Sequence, residues 1–212
     1  MSVLLPGPLA AVIPGGAEAL WPDLASRYTE AGRHYHDVAH IHALSRHFAQ
    51  VDSGPGWQAP AEIALAILFH DAIYVCGRGD NEARSASLAR AAIAAHLASA
   101  DIDVDRVVLL IHLTADHGRL KPGSLSADPD AQHFLDADMA ILGSPPTRYA
   151  EYEAQIRREY HALPDEVFAE GRGRFLERLL ASDRIYLSAF FGERYEAQAR
   201  ANLRGALTNL RR

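Results

Sequence analysis

Seven consecutive apolar residues, Ile63-Ala64-Leu65-Ala66-Ile67-Leu68-Phe69, run without a break into His70-Asp71. A helix that is apolar on every face belongs in the interior of a fold, surrounded by other elements of the chain. Elsewhere apolar residues recur at three- and four-residue spacing, Gly and Pro punctuate them, and few β-branched runs alternate as strands require. The pattern predicts an all-α chain with helices over about residues 17–29, 33–50, 60–75, 80–99, 103–116, 129–142, 147–162, 165–180 and 183–210, the last broken near Gly192. Gly143 is expected to close the helix ending at Leu142, and Pro145-Pro146 to block its continuation and open the next. Asp52 to Pro60 and Gly118 to Ser126 read as loops.

With 212 residues, no internal repeat and no long linker, the prediction is one domain over 1–212, large enough to bury a core without disulfides. A hydrophobic content of 49% against 23% charged excludes collagen, wholesale disorder and a membrane bundle. No apolar run reaches the length of about 18 residues that a membrane span needs. Lys+Arg 21 against Asp+Glu 27 gives a net charge of -6, so no duplex nucleic acid is expected as a partner. Cys76 is the single cysteine, and the N-terminal stretch lacks a basic start and is interrupted by Pro6, Pro8 and Pro14. Both features predict a mature chain in the reducing cytoplasm. The outlying number is 11 histidines, which directs attention to metal or acid–base chemistry.

Three segments carry such chemistry. In Arg33-His34-Tyr35-His36-Asp37-Val38-Ala39-His40-Ile41, helical spacing places Arg33, His36, His40 and His47 on one stripe beside the apolar stripe Val38, Ile41, Leu44 and Phe48. A histidine pair at this spacing can ligate one metal, supply a ligand and a proton donor, or simply pack. His70-Asp71 ends the apolar run, where a carboxylate is costly unless it is paired, exposed or bound to a cation. In Phe134-Leu135-Asp136-Ala137-Asp138-Met139-Ala140-Ile141-Leu142, Asp138 shares a face with Phe134, Leu135, Ile141 and Leu142. A buried carboxylate there calls for a cation, either a metal or an arginine such as Arg148 or Arg157. Together His40, His70, Asp71 and Asp138 form a mixed imidazole and carboxylate set suited to one divalent ion (Mn, Mg, Fe, Co or Zn). Four such ligands leave about two positions of an octahedral ion open for water and a substrate oxygen.

The ordered set resembles the HD superfamily of metal-dependent phosphohydrolases. Tyr35-His36-xxx-His40-Ile41, Phe69-His70-Asp71-xx-Tyr74, Asp80-Asn81-Glu82-xx-Ser85-Ala86 and Leu135 to Gly143 are similar to a group of small bacterial members, and Arg184-Ile185-Tyr186 and Tyr195 to Leu203 resemble that group's C-terminal region. The resemblance implies a single-domain HD-type helical bundle and a hydrolase acting on a small phosphorylated substrate such as a nucleotide. Cyclic-nucleotide phosphodiesterases, distant members, carry a similar Tyr-His-Asn-xxx-His segment. By that likeness His36 is the general acid and His40 the ligand, with Asp37 standing where those enzymes have Asn. Their Ala-Asp-Leu segment likewise favours Asp138 over Asp136 as the ligand. Asp71 is then both ligand and water holder, and Glu82 an auxiliary base, although an acid in a first helical turn also complements the helix dipole.

His112 and His117 fall where some superfamily members hold a second metal. Five residues apart they diverge by about 140° on a continuous helix, so substrate binding by one of them is the preferred reading beside packing or surface roles. Arg33, Tyr35 and Lys121 are further candidates for substrate contact; the alternatives are an ion pair for Arg33, core packing for Tyr35 and solvated loop charge for Arg119 and Lys121. The alternating charges from Glu193 to Arg212 read as a solvated face or the surface of a homodimer. The alternatives to a hydrolase are a catalytically silent HD-type module binding a nucleotide or protein, and a di-iron HD-like oxygenase.

Overall fold

A computed structural model describes residues 4–14, 17–120, 123 and 125–210. Among them the regular structure is entirely helical. The chain divides into two units, Met1–Ala115 and Asp116–Arg212. The first holds α1 (Gly7–Ala10), α2 (Ala17–Tyr28), α3 (Val38–Asp52), α4 (Pro60–Phe69), α5 (Asn81–His96) and α6 (Val104–Thr114). The second holds α7 (Pro129–Met139), a 3-10 helix (Ala140–Gly143), α8 (Pro146–Glu159), α9 (Asp165–Ala181) and α10 (Ala189–Leu210).

The apolar run is the centre of the first unit. Every residue from Ile63 to Phe69 is at most 1% exposed, and α4 packs against α1, α3, α5 and α6. Leu9 and Ile13 are buried too, α1 lying on α3 and α4, so the N-terminal stretch contributes to this core. Ile41, Leu44 and Phe48 turn inward as their stripe predicts.

Two boundaries of the first unit that differ from the sequence reading matter to the site. Helix α3 starts at Val38, not residue 33, because Asp37 is its N-cap: the carboxylate accepts from Ala39 N at 2.8 Å and His40 N at 3.3 Å. Helix α4 stops at Phe69, not residue 75, and the turn after it is held by side chains from elsewhere.

In the second unit α10 packs against α7, the 3-10 helix, α8 and α9. It begins at Ala189 and continues through Gly192 without a break. Residues 182–188 stay out of the helix because their backbone is claimed by carboxylates: Glu196 accepts from Ile185 N at 3.0 Å and Tyr186 N at 3.2 Å, and Asp136 takes the next two N–H groups. Gly143 ends the 3-10 helix rather than an α-helix. A Cβ there would stand 2.6 Å from Tyr195 Cβ and 2.8 Å from its carbonyl oxygen, so the glycine permits close approach of α10. No helix among the described residues is long and apolar enough to cross a membrane.

Candidate metal centre

In the first unit α3 carries His40 and the end of α4 carries His70 and Asp71. Both histidines are buried, and Asp71 is partly exposed. His40 Nε2 and His70 Nε2 lie 3.1 Å apart, and Asp71 Oδ2 lies 3.0 Å from the His70 nitrogen and 3.7 Å from that of His40. His70 Nδ1 is 2.9 Å from the Ile67 carbonyl oxygen. A carbonyl only accepts, so Nδ1 donates to it, and Nε2 faces His40 and Asp71. Lone pairs brought this close repel unless a proton or a cation lies among them. The buried imidazole nitrogens and the partly exposed carboxylate fit a divalent metal, and His40 and His70 belong to a His/Asp group able to hold one.

The surroundings of this cluster come from loops. Arg33 stands before α3 and is buried. Its NH1 donates to the carbonyls of His36 at 3.0 Å and Asp71 at 2.7 Å, its NH2 to that of Ala72 at 3.0 Å, and Nε and NH2 both reach Glu30 at 3.3 Å. All five N–H groups are thereby used, which leaves none free for the substrate contact expected of Arg33. His36 likewise lies outside the helix, not on a stripe with His40. Its ring stacks on Tyr74 at 4.2 Å and 26°, meets Tyr35 edge-on at 5.0 Å, and stands 6.0 Å from the His40 ring. Tyr35 is buried between the two histidines.

The turn from Asp71 to Val75 is pinned by α5. Asn81 accepts from Val75 N and donates to Val75 O, each at 3.0 Å. Ser85 accepts from Ile73 N at 3.0 Å and donates to Ile73 O at 3.3 Å. Sequence reasoning quoted both residues without giving them a task. Their i, i+4 spacing directly after a Gly-containing turn was the available signal. Glu82 sits half-buried in the first turn of α5, and His112 is exposed on α6. Lys121 lies outside the described residues.

The second unit treats its two acids differently. Asp138 is half-buried, and its Oδ2 lies 2.7 Å from His117 Nε2. The two arginines suggested as its partner are engaged elsewhere: Arg148 pairs with Glu151 and Arg157 with Asp165. Asp136 is the more buried, and it accepts from Leu187 N and Ser188 N at 2.7 Å and from Ser188 Oγ at 2.6 Å. Burial pushes its carboxyl up to about 6, against the pull of these hydrogen bonds. The donors Leu187 N and Ser188 N lie directly before α10, so the ionised form also sits near a helix N-terminus. Asp136 thus has an architectural task, which sequence reasoning missed. Arg119 is exposed beside Asp116.

No protein-family model, curated protein or solved structure matches this chain.

Proposed function

We propose that the chain is a metal-dependent phosphohydrolase of the HD type, cleaving a phosphoester or phosphoanhydride bond of a nucleotide or another small phosphorylated metabolite in the cytoplasm. The observation that carries this reading is the convergence of His40 Nε2, His70 Nε2 and Asp71 Oδ2 within 3.7 Å, with His70 Nδ1 donating to Ile67 O. These three side chains would hold one divalent ion, manganese or magnesium among the candidates, and the ordered motif adds Asp138 as fourth ligand. The ion would draw electron density from a phosphoryl oxygen and make water more acidic.

The chain's own groups supply the proton movements. Water forms the new bond to phosphorus as the bond to the leaving oxygen breaks. Asp71 holds the water and accepts its proton, with Glu82 as auxiliary. His36 gives its proton to the leaving oxygen, a step worth about 10²- to 10⁴-fold in comparable enzymes. Its ring, one neighbour away from His40, is well placed for an oxygen drawn to the ligand cluster.

The test is product analysis of purified protein with Mn²⁺ across nucleoside mono-, tri- and cyclic phosphates, beside Asp71→Ala. Release of phosphate, pyrophosphate or a monophosphate alone identifies the bond cleaved, and turnover should vanish in the variant. A wild-type protein that binds metal yet turns over none of these overturns the reading in favour of a silent binding module. Bound iron with oxygen uptake instead identifies an oxygenase.

A further inference from the structure

Arg33 is a charged group sunk into the first unit, paired with Glu30 at 3.3 Å. Burying a guanidinium is costly, and the cost is offset here by three backbone carbonyls together with the Glu30 carboxylate. The carbonyls are specific. One belongs to His36, in the segment before α3; two belong to Asp71 and Ala72, in the turn after α4. A single planar fork therefore ties together two segments far apart in sequence, Arg33 itself standing 38 residues before Asp71. The guanidinium also lies over the rings of Tyr28 at 5.2 Å and Tyr74 at 5.7 Å. Tyr74 is the ring on which His36 stacks. Arg33 thus fixes His36 twice, at its carbonyl and through the tyrosine beneath its ring.

We infer that Arg33 is a positioning residue that sets the His36 imidazole relative to Asp71, and not a ligand for the substrate's phosphate. The catalytic part of this inference rests on the hydrolase reading; the geometric part does not. Both segments lie outside the helices, since Asp37 starts α3 and Phe69 ends α4, and the turn after α4 keeps a backbone bond from Ala72 N to Phe69 O at 3.0 Å. Ser85 and Asn81 secure Ile73 and Val75, but the carbonyls of Asp71 and Ala72 are secured by Arg33. Without the fork, His36 and Asp71 would keep their places on the chain and lose their fixed separation. A displacement of about 1 Å in a reacting group can cost about 10²-fold in rate.

The experiment compares full-length wild type, Arg33→Met, Arg33→Lys, His36→Ala and the Arg33→Met/His36→Ala double variant. The first readout needs neither metal nor substrate. Stacking on Tyr74 should move the His36 ring-proton NMR signals upfield, and the signals are identified by their loss in His36→Ala. In folded Arg33→Met these signals should move toward ordinary histidine positions. The second readout is turnover with Mn²⁺ of an alkyl phosphate, whose leaving oxygen needs a proton, and of p-nitrophenyl phosphate, whose leaving group departs as a stable phenolate.

Arg33→Met should slow the alkyl ester by about 10²-fold and the aryl ester several-fold less. In the His36→Ala background it should add no more than about twofold, because two residues acting through one group are not additive. Arg33→Lys, which keeps the charge without the fork, should follow Arg33→Met; if Arg33→Met does not fold, Arg33→Lys carries the test. Unchanged His36 signals in a folded variant, wild-type behaviour of Arg33→Lys, or equal losses on both esters with a raised KM would each overturn the inference. If wild type hydrolyses neither ester, only the monoesterase form of the hydrolase reading fails, and the His36 signals alone decide whether Arg33 positions that ring.

Discussion

His117 Nε2 and Asp138 Oδ2 lie 2.7 Å apart, joining the turn that opens the second unit to the end of α7. A histidine bonded to one carboxylate oxygen limits how the other can turn, which is how partners outside the ligand set tune metal affinity. On the proposal that Asp138 is a ligand, His117→Ala should weaken Mn²⁺ binding by about 10- to 100-fold while leaving helical content unchanged. Isothermal titration calorimetry of the two proteins measures this. Equal affinities would remove either Asp138 from the ligand set or His117 from its support.

Metal should also appear as stability. An ion that binds only the folded chain at about 100 times its Kd adds about 2.7 kcal/mol. In a chain of this size each kcal/mol moves Tm by roughly 2–4 °C, so Mn²⁺ should raise the melting temperature by roughly 5–10 °C and EDTA should reverse it. His70→Ala should melt at the same temperature with and without the ion. Scanning calorimetry is the measurement; a wild-type Tm indifferent to divalent metals would exclude the site.

His133 on α7 predicts a pH dependence that does not involve the metal ligands. Its ring is buried and meets Phe190 edge-on at 5.8 Å, and burial lowers its pKa, with Asp130 pulling weakly the other way. The folded pKa lies below the unfolded value of about 6.5, so on acidification the unfolded chain takes up the proton first. Stability therefore falls as pH drops below about 6.5. His133→Gln carries no such proton, and the stability difference between wild type and variant should shift against wild type between pH 8 and pH 5. Urea unfolding at several pH values tests it, and parallel curves would show that burial does not perturb this ring.

Two glycines should respond oppositely to alanine. At Gly143 the added Cβ would stand 2.6 Å from Tyr195 Cβ, and nothing there can yield without moving the α10 backbone. Overpacking of this kind costs about 1–3 kcal/mol. Gly171, inside α9, has no atom within 4 Å of the equivalent Cβ position. Alanine there should stabilise by about 0.5–1 kcal/mol. Urea midpoints of the two variants measure both signs at once.

Much of the site was legible before any coordinates because its signals are local. An apolar heptad ending in His70-Asp71 shows at once where polar groups meet a buried core, and the structure seats Ile63 to Phe69 as that pattern requires. His40 was legible by its spacing beside Ile41 and Leu44, which holds because that part of the segment is helical. Arg33 and His36 were misplaced by the same logic: helical periodicity was extended across Asp37, and a capping aspartate looks like any other acid until the N–H groups it accepts are known. Asp136 and Asp138 show the limit most clearly. Two residues apart on one helix, they looked alike as buried carboxylates, yet one receives the backbone of Leu187 and Ser188 and the other receives His117.

The sequence by itself therefore determined the helical class, the central position of α4 and the identity of the clustered histidines and acids, because periodicity and burial act over a few residues. The tertiary structure alone decided where α3 begins and α4 ends as functional segments, which acid is architectural, and what Arg33 does. Those outcomes depend on donors and acceptors tens of residues apart, and no local pattern records which distant carbonyl a buried guanidinium will find.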